Sequence, residues 1–198
     1  MPLYTRYPIL SPCRDSIAQA IETLTTAFQR GNKLLICGNG GSAADADHIS
    51  GELLKGFASK RPLTPEWRAR LGDALADKLQ GGLPAIPLTQ FAGLLSAYGN
   101  DVSWEHGYAQ LVFALGQPGD VFLGISTSGN AKNVGHAARV AKAKGLHTIA
   151  LTGETGGALL ALCDNTIRVP ATEVYKIQEL HLPIYHTLCL EVEQRLFG

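Results

Sequence analysis

KLLICGNGGSAADADHISGELL, residues 33–54, changes character twice. Lys33–Cys37 is a short apolar run bounded by Gly31-Asn32. Gly38-Asn39-Gly40-Gly41-Ser42 follows, and then a helical pattern. Strand, glycine-rich turn and helix form the opening unit of a nucleotide- or phosphate-binding α/β fold. The glycines permit positive φ and let a ligand approach the main chain. Ser42 is placed to act as N-cap, with its hydroxyl and the first helical N–H groups facing the turn. Such a helix start attracts anions through its unpaired donors and its macrodipole. No Gly-Lys-Ser/Thr follows, so this is not a P-loop, and Gly38, Gly40 and Gly41 lack the G-x-G-x-x-G spacing.

Deeper in that helix, His48 and Glu52 stand four apart and share a face. A histidine and a carboxylate so spaced can bind one metal ion, work as an acid–base pair, or form a solvated pair on an amphipathic helix. Spacing alone leaves all three open.

A second unit of the same kind begins at Asp120. DVFLGI (120–125) reads as a strand that runs into Ser126-Thr127-Ser128-Gly129-Asn130, with a helix over 130–144 ended by Gly145. This turn offers three hydroxyls and backbone N–H groups to a phosphate, and no cation. One such turn does no more than cap a helix. Two, each at the carboxyl end of a strand, point to a ligand, because ligands of open parallel sheets sit there.

Further strands are predicted at 84–88, 147–152 and 165–169. Helices are predicted at 13–30 (Ile17, Ile21, Leu24 and Phe28 inward, capped by Asp15 or Ser16), 90–97, 104–115 and 174–196, with a short one inside 153–163. Strands alternating with helices give an α/β fold, a three-layer α/β/α sandwich on a parallel sheet. Tyr98-Gly99-Asn100-Asp101 reads as a turn. Residues 57–83 are the most charged stretch. Pro62 and Pro65 break it, and Glu66–Leu79 is suited to one amphipathic helix. It reads as an insertion or flap within a single domain spanning 1–198, too short for its own core. In the last helix Gln178 and His186 lie two turns apart, about 80° around the axis. Pro183 predicts a kink or a break there.

Only 17% of the 198 residues are charged against 45% hydrophobic, a composition that suits self-association, and formal net charge is zero. A neutral chain without a basic stripe is a poor nucleic-acid binder. No apolar run approaches membrane-spanning length. Cys13, Cys37, Cys163 and Cys189 are widely spaced with no C-x-x-C pair, and the first residues lack a signal-peptide core. The expectation is reduced thiols in the cytoplasm.

CGNGGSAADADHISGEL (37–53), GISTSGN (124–130), LTG (151–153) with Gly156-Gly157, and IQELHLPIYH (177–186) resemble the sugar isomerase (SIS) domain, and within it the phosphoheptose isomerases. The resemblance runs from about residue 14 onward, except over 57–83. It implies a flavodoxin-like sheet and a homotetramer with shared sites. The implied reaction interconverts sedoheptulose 7-phosphate and D-glycero-D-manno-heptose 7-phosphate through an enediol. It also implies a zinc ion on His48, Glu52, Gln178 and His186, with Glu52 as base and His186 as acid. Ser42, Ser126, Thr127 and Ser128 would bind the phosphate, with Asn39 shaping the turn, Gly40, Gly41 and Gln178 also touching substrate, and Asp101 near the sugar. The chain departs from the family at Lys55-Gly56-Phe57, where an Arg is expected, at Ala131 and at Tyr175. Two non-catalytic readings share the fold: a scaffold that binds the replication initiator, and a sugar-phosphate sensor. The scaffold relatives lack the Glu and the final His that Glu52 and His186 supply here.

Overall fold

The structure, a computed structural model, describes residues 2–198. After a short helix α1 (Leu3–Arg6) and a 3-10 segment (Pro8–Cys13) come α2 (Arg14–Gln29), β1 (Leu34–Gly38) and α3 (Gly41–Leu54). Next are α4 (Pro65–Leu71), α5 (Asp73–Ala76), β2 (Ala85–Pro87), α6 (Ala92–Asp101) and α7 (Gly107–Leu115). The chain continues through β3 (Val121–Ser126), α8 (Lys132–Ala143), β4 (His147–Thr152), α9 (Leu159–Leu162), β5 (Asn165–Arg168) and α10 (Val174–Phe197). All strand pairs are parallel, in the order β2-β1-β3-β4-β5.

Both sheet faces are covered, which explains why the strands read as continuous apolar runs. Leu34, Ile36, Ile125 and Leu151 point into one core with α2, α3 and α10. Leu35, Cys37, Phe122 and Ala150 point into the other, against α7 and α8. The strand order reverses between β1 and β3, which are neighbours paired from Leu34↔Val121 to Gly38↔Ile125. That register sets the two ligand-type turns side by side at the switch point of the sheet, where such folds bind.

Several local expectations are corrected. Ser42 is not the N-cap of α3: Gly40 is, at φ +56°, and Ser42 lies buried inside the first turn. The reason is steric. A Cβ on Gly38 would lie 2.6 Å from the Ser42 carbonyl oxygen, so the turn is tight enough to start the helix at Gly41. Neither Asp15 nor Ser16 caps α2, which grows directly out of the 3-10 segment, Ser16 donating to the Cys13 carbonyl. Tyr98–Asp101 is the last turn of α6, and α7 begins at Gly107 rather than Trp104. The helix expected at 66–79 is two helices, divided at Gly72 with φ +77°. Pro183 interrupts nothing: α10 is one continuous 24-residue helix.

The start of the 57–83 segment is anchored by a buried ion pair. Arg61, 1% exposed and at φ +42°, places Nε 2.7 Å from Glu193 of α10. The same carboxylate accepts from the backbone N–H groups of Phe57, Ala58 and Ser59. The Arg61 guanidinium also donates to the Leu53 and Glu52 carbonyls, and with the Leu83 N–H, which donates to Leu53 as well, it closes the end of α3.

Candidate active site

Asn39, Gly40, Gly41 and Ser42 of the first turn share one cavity of about 320 Å³ with Ser126, Thr127 and Ser128 of the second. Gln178 of α10 reaches into it, its amide lying against Gly41. The rim holds no Lys or Arg, so an anion here is met by hydroxyls, backbone N–H groups and the start of α3. Other side chains stiffen the turns. The Asn39 amide exchanges hydrogen bonds with Asn133 of α8 at 2.8 and 2.9 Å, so it braces the cavity wall. Tyr108 donates to the Gly38 carbonyl at 2.7 Å. Asn130 donates to the Ser128 carbonyl and accepts from Ala158 N–H, tying the Ser-Thr-Ser turn to the loop at 153–158. Gly129 must be glycine, because at φ +68° a Cβ would fall 2.0 Å from the Gly156 carbonyl oxygen.

His48, Glu52 and His186 meet in a second cluster. His48 Nε2 is 3.3 Å from Glu52 Oε1 and 3.4 Å from His186 Nε2. Lys55 donates to Glu52 Oε2 at 3.1 Å, which leaves Oε1 toward the histidines. Phe57 covers His186, with ring centroids 5.5 Å apart. Burial pushes the His186 imidazole below its ordinary pKa; His48 adds to the shift and Glu52 opposes it. Tyr185, beside His186 on α10, lies 3.0 Å from His48 Nδ1.

The structure therefore brings His48, Glu52 and His186 together, and Gln178 with the two turns. Asp101 does neither: it ends α6, exposed, accepting from Asn100. Sequence reasoning missed Tyr185, Asn133 and Asn130, whose partners are remote or sit in another turn. Only the N–x–x–N spacing of Asn130 and Asn133, just past the second turn, was there to be noticed.

Donors around a tetrahedral zinc with bonds near 2.0–2.2 Å stand about 3.3–3.5 Å apart. The two separations at His48, 3.3 and 3.4 Å, fall on that edge. Among the described residues no three His, Cys, Asp or Glu form a closed metal-holding group, and the Gln178 amide lies against Gly41 in the other cluster.

Comparison with known proteins decides the relationship. The SIS domain family model matches residues 9–81 and 66–153. The phosphoheptose isomerase of Aneurinibacillus thermoaerophilus is 41% identical over 187 residues, 92% of this chain and 85% of that one. The chain belongs to the phosphoheptose isomerase family of SIS domains. Phosphoheptose isomerase 2 of Campylobacter jejuni is 44% identical over 87% of this chain and 76% of its own length. Among solved structures, the phosphoheptose isomerase of Francisella tularensis superposes with a TM-score of 0.78 at 34% identity, covering 91% of this chain and 86% of the other. This phosphoheptose isomerase family member carries both turns and the His48–Glu52–His186 cluster. Of its departures, Ala131 lines the anion cavity and Lys55 reaches back to Glu52, while Tyr175 stays exposed on α10.

Proposed function

We propose that the protein is an aldose–ketose isomerase acting on sedoheptulose 7-phosphate. The observation that carries this reading is the meeting of Glu52 and His186 at His48 on α3 and α10, the two helices that also line a cavity shaped by two hydroxyl- and glycine-rich turns. Moving a carbonyl between C1 and C2 requires a base for the proton next to the carbonyl and a group that protonates its oxygen. Glu52 takes the first role through its carboxylate. His186, kept neutral by burial, donates to the oxygen as a neutral imidazole does and stabilises the enediol. Ser42, Ser126, Thr127 and Ser128 hold the phosphate and fix the distance from it to the reacting carbons. In this reading His48, Glu52, His186 and Gln178 hold one zinc ion. When bound, it polarises the substrate oxygens and offsets developing negative charge. Support for the metal is the donor chemistry and the two donor spacings at His48.

The same reading places the protein in the cytoplasm as a homotetramer. All four cysteines are free and buried, which suits a reducing compartment. Leu182 and Leu190 are exposed on α10, and an apolar cleft of about 340 Å³ lined by Tyr7, Phe57 and Leu190 runs up to His186. Both suit burial against other copies.

The test is turnover of sedoheptulose 7-phosphate by purified protein, with added zinc and with chelator. Glu52→Gln and His186→Ala should each abolish turnover with the fold retained. Near-normal activity in either would remove that residue from its role. Binding of the sugar phosphate without turnover would favour the sensor, and neither binding nor turnover the scaffold.

A further inference from the structure

The ladder between β1 and β3 ends at Gly38↔Ile125, one residue before Asn39. Past that point the strands no longer hold the two turns together, and a pair of amides takes over. Asn39 sits in the first turn, and Asn133 is the second residue of α8, just after the second turn. Asn39 Nδ2 donates to Asn133 Oδ1 at 2.9 Å, and Asn133 Nδ2 donates to Asn39 Oδ1 at 2.8 Å. The exchange is reciprocal, so each amide fixes which way the other points. Among the described residues no other hydrogen bond joins residues 39–42 to residues 126–133.

The two ends of this clamp differ in stiffness. Asn133 belongs to a helix seated on the sheet by Val134, Ala137, Ala138 and Ala141, all buried, and its Oδ1 also accepts from the Val134 N–H at 3.0 Å. Asn39 stands between Gly38 and Gly40-Gly41, and a Cβ on Gly40 would meet nothing within 4 Å. Glycine loses more backbone freedom on ordering than any other residue, so the first turn is the pliable side and α8 the rigid one. The cavity between the turns has no cation, only hydroxyls and backbone N–H groups. A lysine attracts an anion from a distance, whereas neutral donors must already stand at the right spacing, because ordering them during binding subtracts from affinity. We infer that Asn133 is a positioning residue for anion binding: through Asn39 it sets the gap between the two turns, and with it the affinity of the site for a phosphate group. This rests on the reading of the cavity as the phosphate site.

The test is calorimetric binding of sedoheptulose 7-phosphate and of inorganic phosphate to the full chain, alongside turnover. Asn133→Ala should bind both roughly 5–30-fold more weakly, the worth of one or two net hydrogen bonds. KM should rise by the same factor with kcat unchanged, the signature of lost uniform binding rather than of a disturbed fold. Asn39→Ala should lose as much. The double variant Asn39→Ala/Asn133→Ala should lose no more than either single one, because the two residues act as one link. Asn133→Ser keeps a hydroxyl at the start of α8 but is too short to hold Asn39, and should bind as weakly as Asn133→Ala. Wild-type affinity in Asn133→Ala overturns the role of Asn133 and leaves the phosphate reading intact. Additive losses in the double variant overturn it as well, since each amide would then act by itself. Wild-type affinity in Asn133→Ser does the same, by assigning the loss to the helix start. A wild type that binds neither probe removes the phosphate reading, and the inference with it.

Discussion

Replacing Arg61 by Met should destabilise the protein by about 3 kcal/mol, because it breaks a buried ion pair from one side only. The guanidinium makes three hydrogen bonds, Nε to Glu193 Oε1 at 2.7 Å and two to the carbonyls of Leu53 at 2.7 Å and Glu52 at 3.4 Å, and lies over the Phe197 ring, 4.8 Å from its centroid. Loss of one partner of a buried pair generally costs about 3–5 kcal/mol, since the other charge stays behind unpaired. Here the carboxylate keeps the N–H groups of Phe57, Ala58 and Ser59, at 2.8, 2.7 and 3.2 Å, which places the expectation at the low end. Met fills similar volume, so cavity formation adds little. For a chain of this size the change corresponds to a fall in melting temperature of about 6–12 °C. The assay is urea and thermal denaturation of both proteins at one concentration, with amide hydrogen exchange at 57–59 as the local readout. The double variant Arg61→Met/Glu193→Met should fare no better, because it also strips the acceptor from three backbone N–H groups. A single variant within about 0.5 kcal/mol of wild type would refute the reasoning, as would full rescue in the double variant.

Ser128→Ala should weaken sugar-phosphate binding roughly 10–100-fold with little change in the chemical step, as one hydrogen bond to a charged group is worth about 1.5–3 kcal/mol; an unchanged KM would take Ser128 out of the phosphate site. His181 predicts an acid-labile fold: it is fully buried with neither ring nitrogen hydrogen-bonded, and burial pushes its pKa down to about 4, against a weaker pull from the Thr152 backbone. Because the folded value lies below the unfolded one near 6.5, the unfolded chain takes up a proton between pH 6.5 and 4 that the folded chain refuses. Stability is full above pH 6.5 and falls by about 3 kcal/mol as pH drops through that window. His181→Leu should flatten the slope there, and a variant with the wild-type slope would count against this account.

The parts of the molecule legible in its sequence are those in which structure follows from neighbours along the chain. Lys33–Cys37 and Asp120–Ile125 read as strands because parallel strands covered on both faces are apolar throughout. The two turns read as ligand sites because glycine and hydroxyl residues cluster where each strand ends. Helix periodicity placed His48 with Glu52 in the same way. What stayed hidden depends on partners far along the chain. Arg61 lies in the most charged stretch, where an arginine is ordinarily solvated, and its burial follows from Glu193, 132 positions away. Asn39 is a turn residue by sequence, yet its amide is committed to Asn133, 94 positions on. Tyr185 looks like one more apolar residue of α10 until His48 is found beside its hydroxyl, 137 positions away. Glu193 and Tyr185 are both on α10, and both reach across to α3 or to the segment that follows it. The last helix thus does more than supply His186. It braces the C-terminal end of the helix that carries Glu52 through Arg61, and it meets the His48 ring through Tyr185. A substitution at Glu193 should therefore perturb turnover as well as stability, even though that carboxylate lies outside the cluster formed by His48, Glu52 and His186.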